Sequence, residues 1–356
     1  MDEPVYLIAE AGVNHNGSIE RALDMIEVAA SAGADAIKFQ TFVPSALSAA
    51  HAGKADYQKR QGPSDESQLS MLEGLALDFD AHANLLAHCR ERDIDFLSSP
   101  FDRTSADFLI DKLRLPTIKL GSGELTNAPL LWRIAASDTQ LILSTGMATM
   151  EEIEIALGLC CLALDGTVPQ SEADCRAALD SRRLVDKVML MHCTSEYPCP
   201  PENANLRAMD RMAERFGLPV GYSDHTQGIE ISLAAVARGA CIIEKHFTLD
   251  RGLPGPDHTA SLLPDELRAL AAVIPTVRRS LGNTDKAPSE AECDNARVAR
   301  KSLVAKRDIA PGEPFSSDNL TSKRPGTGVT PLRYWSLLGK PATHGYAADD
   351  LIREDE

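Results

Sequence analysis

The stretch Gly221–His258, GYSDHTQGIEISLAAVARGACIIEKHFTLDRGLPGPDH, contains two apolar runs that each lead into a histidine. The runs Pro219–Ser223 and Cys241–Lys245 have the length and composition of short strands. Between them, Ile229–Ala240 carries apolar residues at helical spacing. The stretch therefore predicts a strand–helix–strand unit, in which the two strands must lie parallel.

The two histidines of this unit are candidate metal ligands. A right-handed crossover places both strand ends on the same face, so we expect His225 and His246 to lie close enough to share one ion. Imidazole pairs with open coordination positions suit Mn, Fe, Co or Zn. Two unrelated polar residues at strand ends are the alternative. The polar residues before each histidine, and the segment Pro254–Asp257 after the second, favour a ligand site.

The whole chain repeats this alternation of strand and helix. Helical segments such as Ile19–Ala32 and Glu151–Leu164 separate the apolar runs, and the repeats match a (β/α)₈ barrel in number and length. An open doubly wound sheet is the alternative, but no Gly-rich GxGxxG follows any of the strands. The predicted strands are Val5–Ala9, Ala36–Phe39, Asp95–Ser98, Thr117–Leu120, Leu141–Ser144, Lys187–Met191, Val220–Ser223 and Cys241–Lys245.

Polar and charged residues follow nearly every predicted strand, which is where barrel enzymes build their active sites. Two lysines and three serines among them form a ring that suits a small, multiply charged anion such as a phosphorylated carboxylate. Alternatively, a buried lysine simply pairs with Glu10 or Glu124. The ring consists of Lys38, Lys119, Ser122, Ser144 and Ser223.

The composition of the chain argues against some classes of function. The 356 residues carry a net charge of −16, which argues against binding to nucleic acid. No apolar run approaches the roughly 20 residues that span a bilayer, so we expect no membrane association. The eight cysteines form no CxxC pair and mostly lie in apolar runs. Free thiols in a cytoplasmic protein are therefore expected.

The chain also predicts a lid and a second domain. The long polar connection from Thr41 to Leu75 exceeds the usual loop length, and Tyr57 and Lys59 are its candidate ligand contacts. Residues 1–282 are predicted to form the barrel, 283–298 a polar linker, and 299–356 a small domain of short strands and turns. So small a domain is expected to dock on a partner surface.

Taken in order, the strand-end motifs resemble those of the sialic acid synthase family over essentially the whole chain. The matching motifs are IAEAGVNHNG, IKFQTF, KLGSGE, LSTGM, HCTSEYP, GYSDHT, IIEKHFT and LPGPDH, and the tail RKSLVAKRDI…KRPGTG resembles the family's antifreeze-like (SAF) domain. The resemblance implies an α/β fold, a TIM barrel joined to a small α+β SAF domain. It also implies a domain-swapped homodimer.

The resemblance assigns roles to residues at the matching positions. It makes His225 and His246 the metal ligands, for Mn²⁺ or another divalent ion such as Mg²⁺ or Co²⁺. It makes the two lysines and three serines of the ring contacts of phosphoenolpyruvate, with Gln40 and Glu124 adjacent. Ser195 stands where some relatives have an asparagine that contacts phosphoenolpyruvate, and serine is shorter.

The remaining implied roles concern the sugar. Glu10, Tyr197 and Asp257 match positions that handle the sugar or its reacting oxygens. Arg324 matches an arginine that reaches the sugar from the partner's C-terminal domain. The base that activates water stays open between Glu10, Glu124 and Asp257.

The implied reaction joins phosphoenolpyruvate to an N-acetylated hexose. Condensation with N-acetylmannosamine, giving N-acetylneuraminate, is the first expectation. A legionaminate synthase acting on 2,4-diacetamido-2,4,6-trideoxymannose, or a pseudaminate synthase, is the alternative, because a few pocket contacts decide between such sugars. A non-catalytic polysaccharide or spore-coat assembly protein is a more remote alternative.

Overall fold

Eight parallel strands form a closed sheet in the computed structural model, which describes residues 4–49, 52–53 and 67–356. Hydrogen-bonded neighbours follow the order β3-β2-β1-β8-β7-β6-β5-β4, and β3 and β4, at the two ends of this order, contact each other. The strands are β1 Tyr6–Gly12, β2 Ala36–Thr41, β3 Asp95–Pro100, β4 Thr117–Leu120, β5 Gln140–Ser144, β6 Val188–Cys193, β7 Val220–Asp224 and β8 Ile242–His246.

The predicted barrel is therefore confirmed, and the open doubly wound sheet is wrong. Each of the eight predicted strands forms, with ends that differ from the prediction by a few residues. Near-continuous burial along the strands agrees with a parallel sheet that is covered on both faces.

Helices connect the strands and pack against the outside of the barrel. Local signals define their ends: the Ser18 side chain caps Ile19–Ala32 by accepting from the backbone N–H of Arg21, and Gly33 ends it at φ 86°. Among the described residues of this part, the helices are Ile19–Ala32, Pro44–Leu47, Gln68–Leu75, Phe79–Glu91, Arg103–Asp107, Ala128–Ala135, Met150–Leu164, Glu172–Ala178, Arg207–Phe216, Glu230–Ala237 and Pro264–Ser280.

An apolar layer fills the barrel interior directly below the strand ends. Its buried residues are Ile8, Ala36, Leu97, Ile142, Met191 and Ile242, from six different strands. Because side chains alternate between the two faces of a strand, the residue two positions further along each strand also points inward. These next residues are Glu10, Lys38, Ser99, Ser144, Cys193 and Glu244. A polar layer thus lies directly above the apolar layer, at the carboxyl ends of the strands.

Within the described residues of the connection after β2, Pro44–Leu47 and Gln68–Leu75 form short helices. Tyr57 and Lys59, the predicted lid contacts, lie outside the described residues.

The chain divides into two units, Met1–Gly282 and Asn283–Glu356. The second unit begins with the helix Glu290–Ala299, where the sequence predicts a linker over 283–298. Ser289 caps this helix: its side chain accepts from the backbone N–H of Glu292, and the Glu292 carboxylate accepts from the backbone N–H of Ser289. The segment predicted to be a polar linker thus contains a helix, and no residue of this helix is buried.

The rest of the second unit is a small domain with its own core. The antiparallel strands β9 Ser302–Ala305 and β10 Leu320–Lys323 are followed by the short helix Tyr334–Leu337. Residues including Leu303, Phe315 and Tyr346 form a separate buried cluster.

Two further expectations concern the chain as a whole. All eight cysteines are free thiols. Among the described residues, no helix combines the length and the apolar content needed to cross a bilayer.

Candidate active site

A cavity of about 890 Å³ opens at the carboxyl ends of the barrel strands. Its size is in the range of small-molecule sites, about 300–1,000 Å³. Twelve of the fourteen predicted site residues line it, namely Glu10, Lys38, Gln40, Lys119, Ser122, Glu124, Ser195, Tyr197, Ser223, His225, His246 and Asp257. The barrel thus brings together residues that are more than 200 positions apart in sequence.

Four buried charged side chains form the centre of the cavity, and we call them the inner cluster: Glu10, Lys38, Lys119 and Glu244. Lys38 Nζ lies 2.6 Å from Glu10 Oε2 and 3.5 Å from Glu244 Oε2. Lys119 Nζ lies 3.3 Å from Glu244 Oε1. Strand register explains the contact between Glu10 and Lys38, since these residues are paired across β1 and β2.

Burial and neighbouring charge shift the pKa values of this cluster in opposite directions. Burial raises the pKa of Glu10 to about 7, although the Lys38 charge opposes the shift. Burial also acts on Glu244, but the Lys119 and Lys38 charges outweigh it and hold the pKa of Glu244 below its usual value. The pKa of Lys38 is raised, because Glu10 and Glu244 more than offset the effect of burial.

Hydroxyl groups surround the inner cluster. Ser223 Oγ donates to Glu244 Oε1 at 2.8 Å, and Lys38 Nζ donates to Ser99 Oγ at 3.2 Å. Ser122 Oγ accepts from the backbone N–H of Gly146 at 3.0 Å. A Cβ atom at Gly146 would lie 2.5 Å from Ser195 Oγ and 2.8 Å from Ser122 Oγ. Glycine at position 146 therefore leaves room for these hydroxyls.

The two candidate metal ligands lie side by side, as the sequence predicts. The ring centroids of His225 and His246 are 5.5 Å apart. Tyr197 stacks on His225 at 4.1 Å and meets His246 edge-on at 5.8 Å. Burial lowers the pKa of His225 to about 4 and that of His246 well below its usual value, so both imidazoles are neutral at pH 7.

The two imidazoles fit a divalent metal ion. His225 Nδ1 is 2.7 Å from the carbonyl of Thr194, to which it donates, and this leaves the Nε2 lone pair for an ion. His246 Nδ1 is buried and makes no hydrogen bond with any described residue. Over the described ranges, no three His, Cys, Asp or Glu side chains converge as a complete metal site. An ion held here would therefore take its other ligands from substrate or water.

Two of the three candidate bases share the same part of the cavity. A Cβ atom at Gly12 would lie 3.2 Å from Glu10 Oε1 and 3.5 Å from Asp257 Oδ2. Burial raises the pKa of Asp257 to about 6. Glu124 instead accepts from Asn127 Nδ2 at 2.6 Å. The side chains of Glu10 and Asp257 therefore lie close to each other.

Two predicted residues do not line the cavity. Ser144 is fully buried in the polar layer, and its Oγ has no hydrogen-bond partner among the described residues. Arg324 belongs to the second unit, where it is exposed and its Nε donates to the carbonyl of Ala299 at 3.0 Å.

Several residues that line the cavity are not among the site residues predicted from the sequence. Glu244 is central, and strand alternation was a usable signal, because Glu244 shares a strand face with His246. Met71 and Leu72 line the cavity from the helix Gln68–Leu75, and Cys193 lies beside Ser122, with Sγ 3.0 Å from Oγ. No quoted motif contains Met71 or Leu72, whereas Cys193 lies within the motif HCTSEYP.

A second buried ion pair lies on the other face of the same strands, and we call it the outer pair: Asp224 and Lys245. Lys245 Nζ is 2.9 Å from Asp224 Oδ2, and both side chains are fully buried. Asp224 also accepts from the Thr226 backbone N–H at 2.8 Å and from Ser232 Oγ at 2.6 Å. The outer pair therefore joins β7 to β8 just before the two histidines.

Comparison with known proteins agrees with this geometry. The model of the NeuB family matches residues 25–286, and that of the SAF domain matches residues 300–356. An N,N'-diacetyllegionaminic acid synthase of Campylobacter jejuni is 48% identical to this chain, and the match covers 98% of each protein. A protein of the same name from Legionella pneumophila is 40% identical over 98% of this chain and 93% of its own length.

A solved structure shows the same likeness. The N-acetylneuraminic acid (sialic acid) synthetase of Leptospira borgpetersenii, in complex with citrate, superposes with a TM-score of 0.67 at 33% identity. The match covers 82% of this chain and 90% of the other.

Proposed function

The chain belongs to the NeuB family, and we propose that it condenses phosphoenolpyruvate with 2,4-diacetamido-2,4,6-trideoxymannose to give N,N'-diacetyllegionaminate and phosphate. That it is a synthase of the sialic acid type follows from the family and from its full-length relatives. The choice of sugar and of phosphoenolpyruvate is the proposal.

The identities favour the diacetamido sugar. On the sequence motifs alone, N-acetylmannosamine is the first expectation for the sugar substrate. However, the two legionaminic acid synthases are 48% and 40% identical to this chain, whereas the sialic acid synthetase is 33% identical. We therefore reverse the order of the two sugars.

The inner cluster is the observation that carries the phosphoenolpyruvate part of the proposal. Two buried lysines face two buried carboxylates, one of which, Glu10, has its pKa raised to about 7 and so holds its charge weakly. Lys38 and Lys119 would bind the phosphate and carboxylate of phosphoenolpyruvate by charge-assisted hydrogen bonds. Ser122 and Ser223 would complete the contacts.

His225 and His246 would hold a divalent ion such as Mn²⁺, which supplies Lewis-acid polarisation of a sugar oxygen when bound. The chain's own residues would do the rest. The ring of Tyr197 contacts both imidazoles. Glu10 or Asp257 would take the proton of the water that attacks C2 of phosphoenolpyruvate, after C3 has attacked the aldehyde carbon. Loss of phosphate from the resulting tetrahedral carbon would complete the reaction.

A homodimer is part of the proposal and rests on the motif around Arg324. We propose that Arg324 of one chain serves the barrel of its partner. Mixed dimers of Arg324→Ala and His225→Ala chains should then recover up to about a quarter of wild-type activity, because half of all dimers are mixed and each has one competent site. No recovery, with mixed dimers confirmed by mass spectrometry, would contradict the exchange.

A phosphate-release assay tests the proposed reaction. The enzyme is supplied with phosphoenolpyruvate, Mn²⁺ and either the diacetamido sugar or N-acetylmannosamine. We expect a higher kcat/KM with the diacetamido sugar, and loss of turnover in His246→Ala. A higher kcat/KM with N-acetylmannosamine would overturn the choice of sugar. No release with either sugar would favour the non-catalytic assembly protein.

A further inference from the structure

One helix presents a single face to the cavity. In Gln68–Leu75, the side chains of Gln68, Met71, Leu72 and Leu75 all line the cavity. Their positions i, i+3, i+4 and i+7 lie on one side of an α-helix. The intervening Glu73 is exposed. The helix is therefore amphipathic, and its apolar side faces the place where a substrate binds.

This face belongs to a continuous apolar surface. Phe42 packs in the same apolar cluster as Val13, Leu72 and Leu75 but does not line the cavity. We call the cavity-lining part the apolar wall: Val13, Leu47, Met71, Leu72, Leu75 and Phe101. None of these six side chains can donate or accept a strong hydrogen bond. The phosphate and the reacting carbons need the polar residues at the strand ends, so the wall has no part in the reaction proposed above.

The two candidate sugars differ in ways that such a wall can sense. The diacetamido sugar has a methyl group where N-acetylmannosamine has a hydroxymethyl group. It also has an acetamido group in place of one hydroxyl. The first change removes a hydroxyl and leaves a methyl group, and the second replaces a hydroxyl by a group that ends in methyl. A hydroxyl buried against the wall would lose hydrogen bonds to water and gain none.

We infer that the apolar wall is the subsite for the methyl-bearing groups of the sugar, and that it selects a 6-deoxy, diacetamido hexose. The inference rests on the proposed function and names the residues that decide its substrate. Apolar pockets discriminate one small group by roughly 10–200-fold in kcat/KM. N-acetylmannosamine is therefore expected to be a slow substrate and not an inert one.

Gln68 adds a polar contact to the same face. The hydroxyl of Ser48 donates to Gln68 Oε1 at 3.0 Å. This bond directs the amide N–H groups of Gln68 to other acceptors, and the carbonyl of an acetamido group is a suitable one. A wall with one amide donor at its edge matches an acetamido group, which is a methyl next to a carbonyl.

The test compares Met71→Gln with Glu73→Gln. Met71 is half-buried, so the near-isosteric change places an amide on the wall without a large cavity or overpacking. Glu73→Gln is the matched control on the exposed face. We expect Met71→Gln to lower the kcat/KM ratio of the diacetamido sugar over N-acetylmannosamine by about 10-fold, with the KM for phosphoenolpyruvate unchanged. Glu73→Gln should leave both at their wild-type values.

A third sugar separates failure of this inference from failure of the proposed function. N-acetyl-6-deoxymannosamine differs from N-acetylmannosamine only in the terminal hydroxyl. If the wild type does not prefer the diacetamido sugar, the proposed function is wrong, yet the wall still predicts a preference for the 6-deoxy sugar that Met71→Gln reduces. If Met71→Gln folds, as judged by its melting temperature, and leaves both preferences unchanged, the wall does not select the sugar.

Discussion

Glu244 and Lys245 are neighbours on β8, yet they belong to two buried charge clusters of opposite character. Lys245 lies in the outer pair, where one lysine meets one aspartate that is also hydrogen-bonded to Thr226 and Ser232. Glu244 lies in the inner cluster, where the Lys38 contact is long at 3.5 Å and Glu244 Oε2 has no hydrogen bond within the described residues. We infer from this difference that a ligand completes the inner cluster, whereas the outer pair needs none.

The difference between the two clusters gives a criterion that distinguishes a structural charge from a functional one. Burying a charge costs several kcal/mol unless its partners satisfy it. Because adjacent residues of a strand point to opposite faces of the barrel sheet, one strand can carry both a structural and a functional charge. The outer pair should contribute to folding, and the inner cluster to binding.

The largest expected effect is on stability, at the outer pair. Lys245→Met leaves the buried Asp224 charge without its partner, and we expect the free energy of unfolding to fall by about 3–5 kcal/mol. Urea denaturation followed by circular dichroism measures it. A loss below about 1 kcal/mol would mean that the outer pair is not needed for folding.

The next effect is on activity, at the inner cluster. Lys119→Met removes a cation whose carboxylate partner, Glu244, keeps Lys38 and the Ser223 hydroxyl nearby, so we expect a smaller loss of stability than in Lys245→Met. The variant loses charge-assisted hydrogen bonds to phosphoenolpyruvate worth about 1.5–3 kcal/mol, which lowers kcat/KM by roughly 10- to 150-fold. Steady-state kinetics with saturating sugar gives the value. A normal kcat/KM combined with a large loss of stability would reverse the assignment of the two clusters.

The smallest effect is a pH dependence of the metal-free protein. The pKa of Glu10 rises from 4.5 to about 7 on folding, so the folded state binds an extra proton between these values. Stability from this group is therefore lost as pH rises through that window. Glu10→Gln should flatten the decline, leaving a part due to Asp257, whose pKa is also raised, to about 6.

Melting temperatures between pH 5 and pH 8 measure this dependence, with the exposed Glu73→Gln as control. An identical pH profile in wild type and Glu10→Gln would show that Glu10 has an ordinary pKa in the folded state.

How far the sequence predicts this site depends on how local the signals are. Strand alternation and helical periodicity are local, which is why the strands, the barrel and the pairing of His225 with His246 are predicted. The role of Glu244 is not predicted, because its contacts to Lys38 and Lys119 come from strands that meet only when the barrel closes. The apolar wall is missed for the same reason, since its residues look like ordinary core residues in the sequence.

The helix Glu290–Ala299 shows a different limit. It has no buried residues, so hydrophobic periodicity cannot reveal it. The capping pair Ser289 and Glu292 was the available signal. A capping box therefore predicts a helix even in a polar segment with glycine and proline nearby.

Isothermal titration of phosphoenolpyruvate tests most directly whether the inner cluster is completed by a ligand. The wild type is compared with Lys119→Met and with Ser232→Ala, which removes one hydrogen bond to Asp224 of the outer pair. We predict that Lys119→Met weakens binding by roughly 10- to 150-fold, while Ser232→Ala binds as the wild type does. Equal binding by the wild type and Lys119→Met would contradict the account.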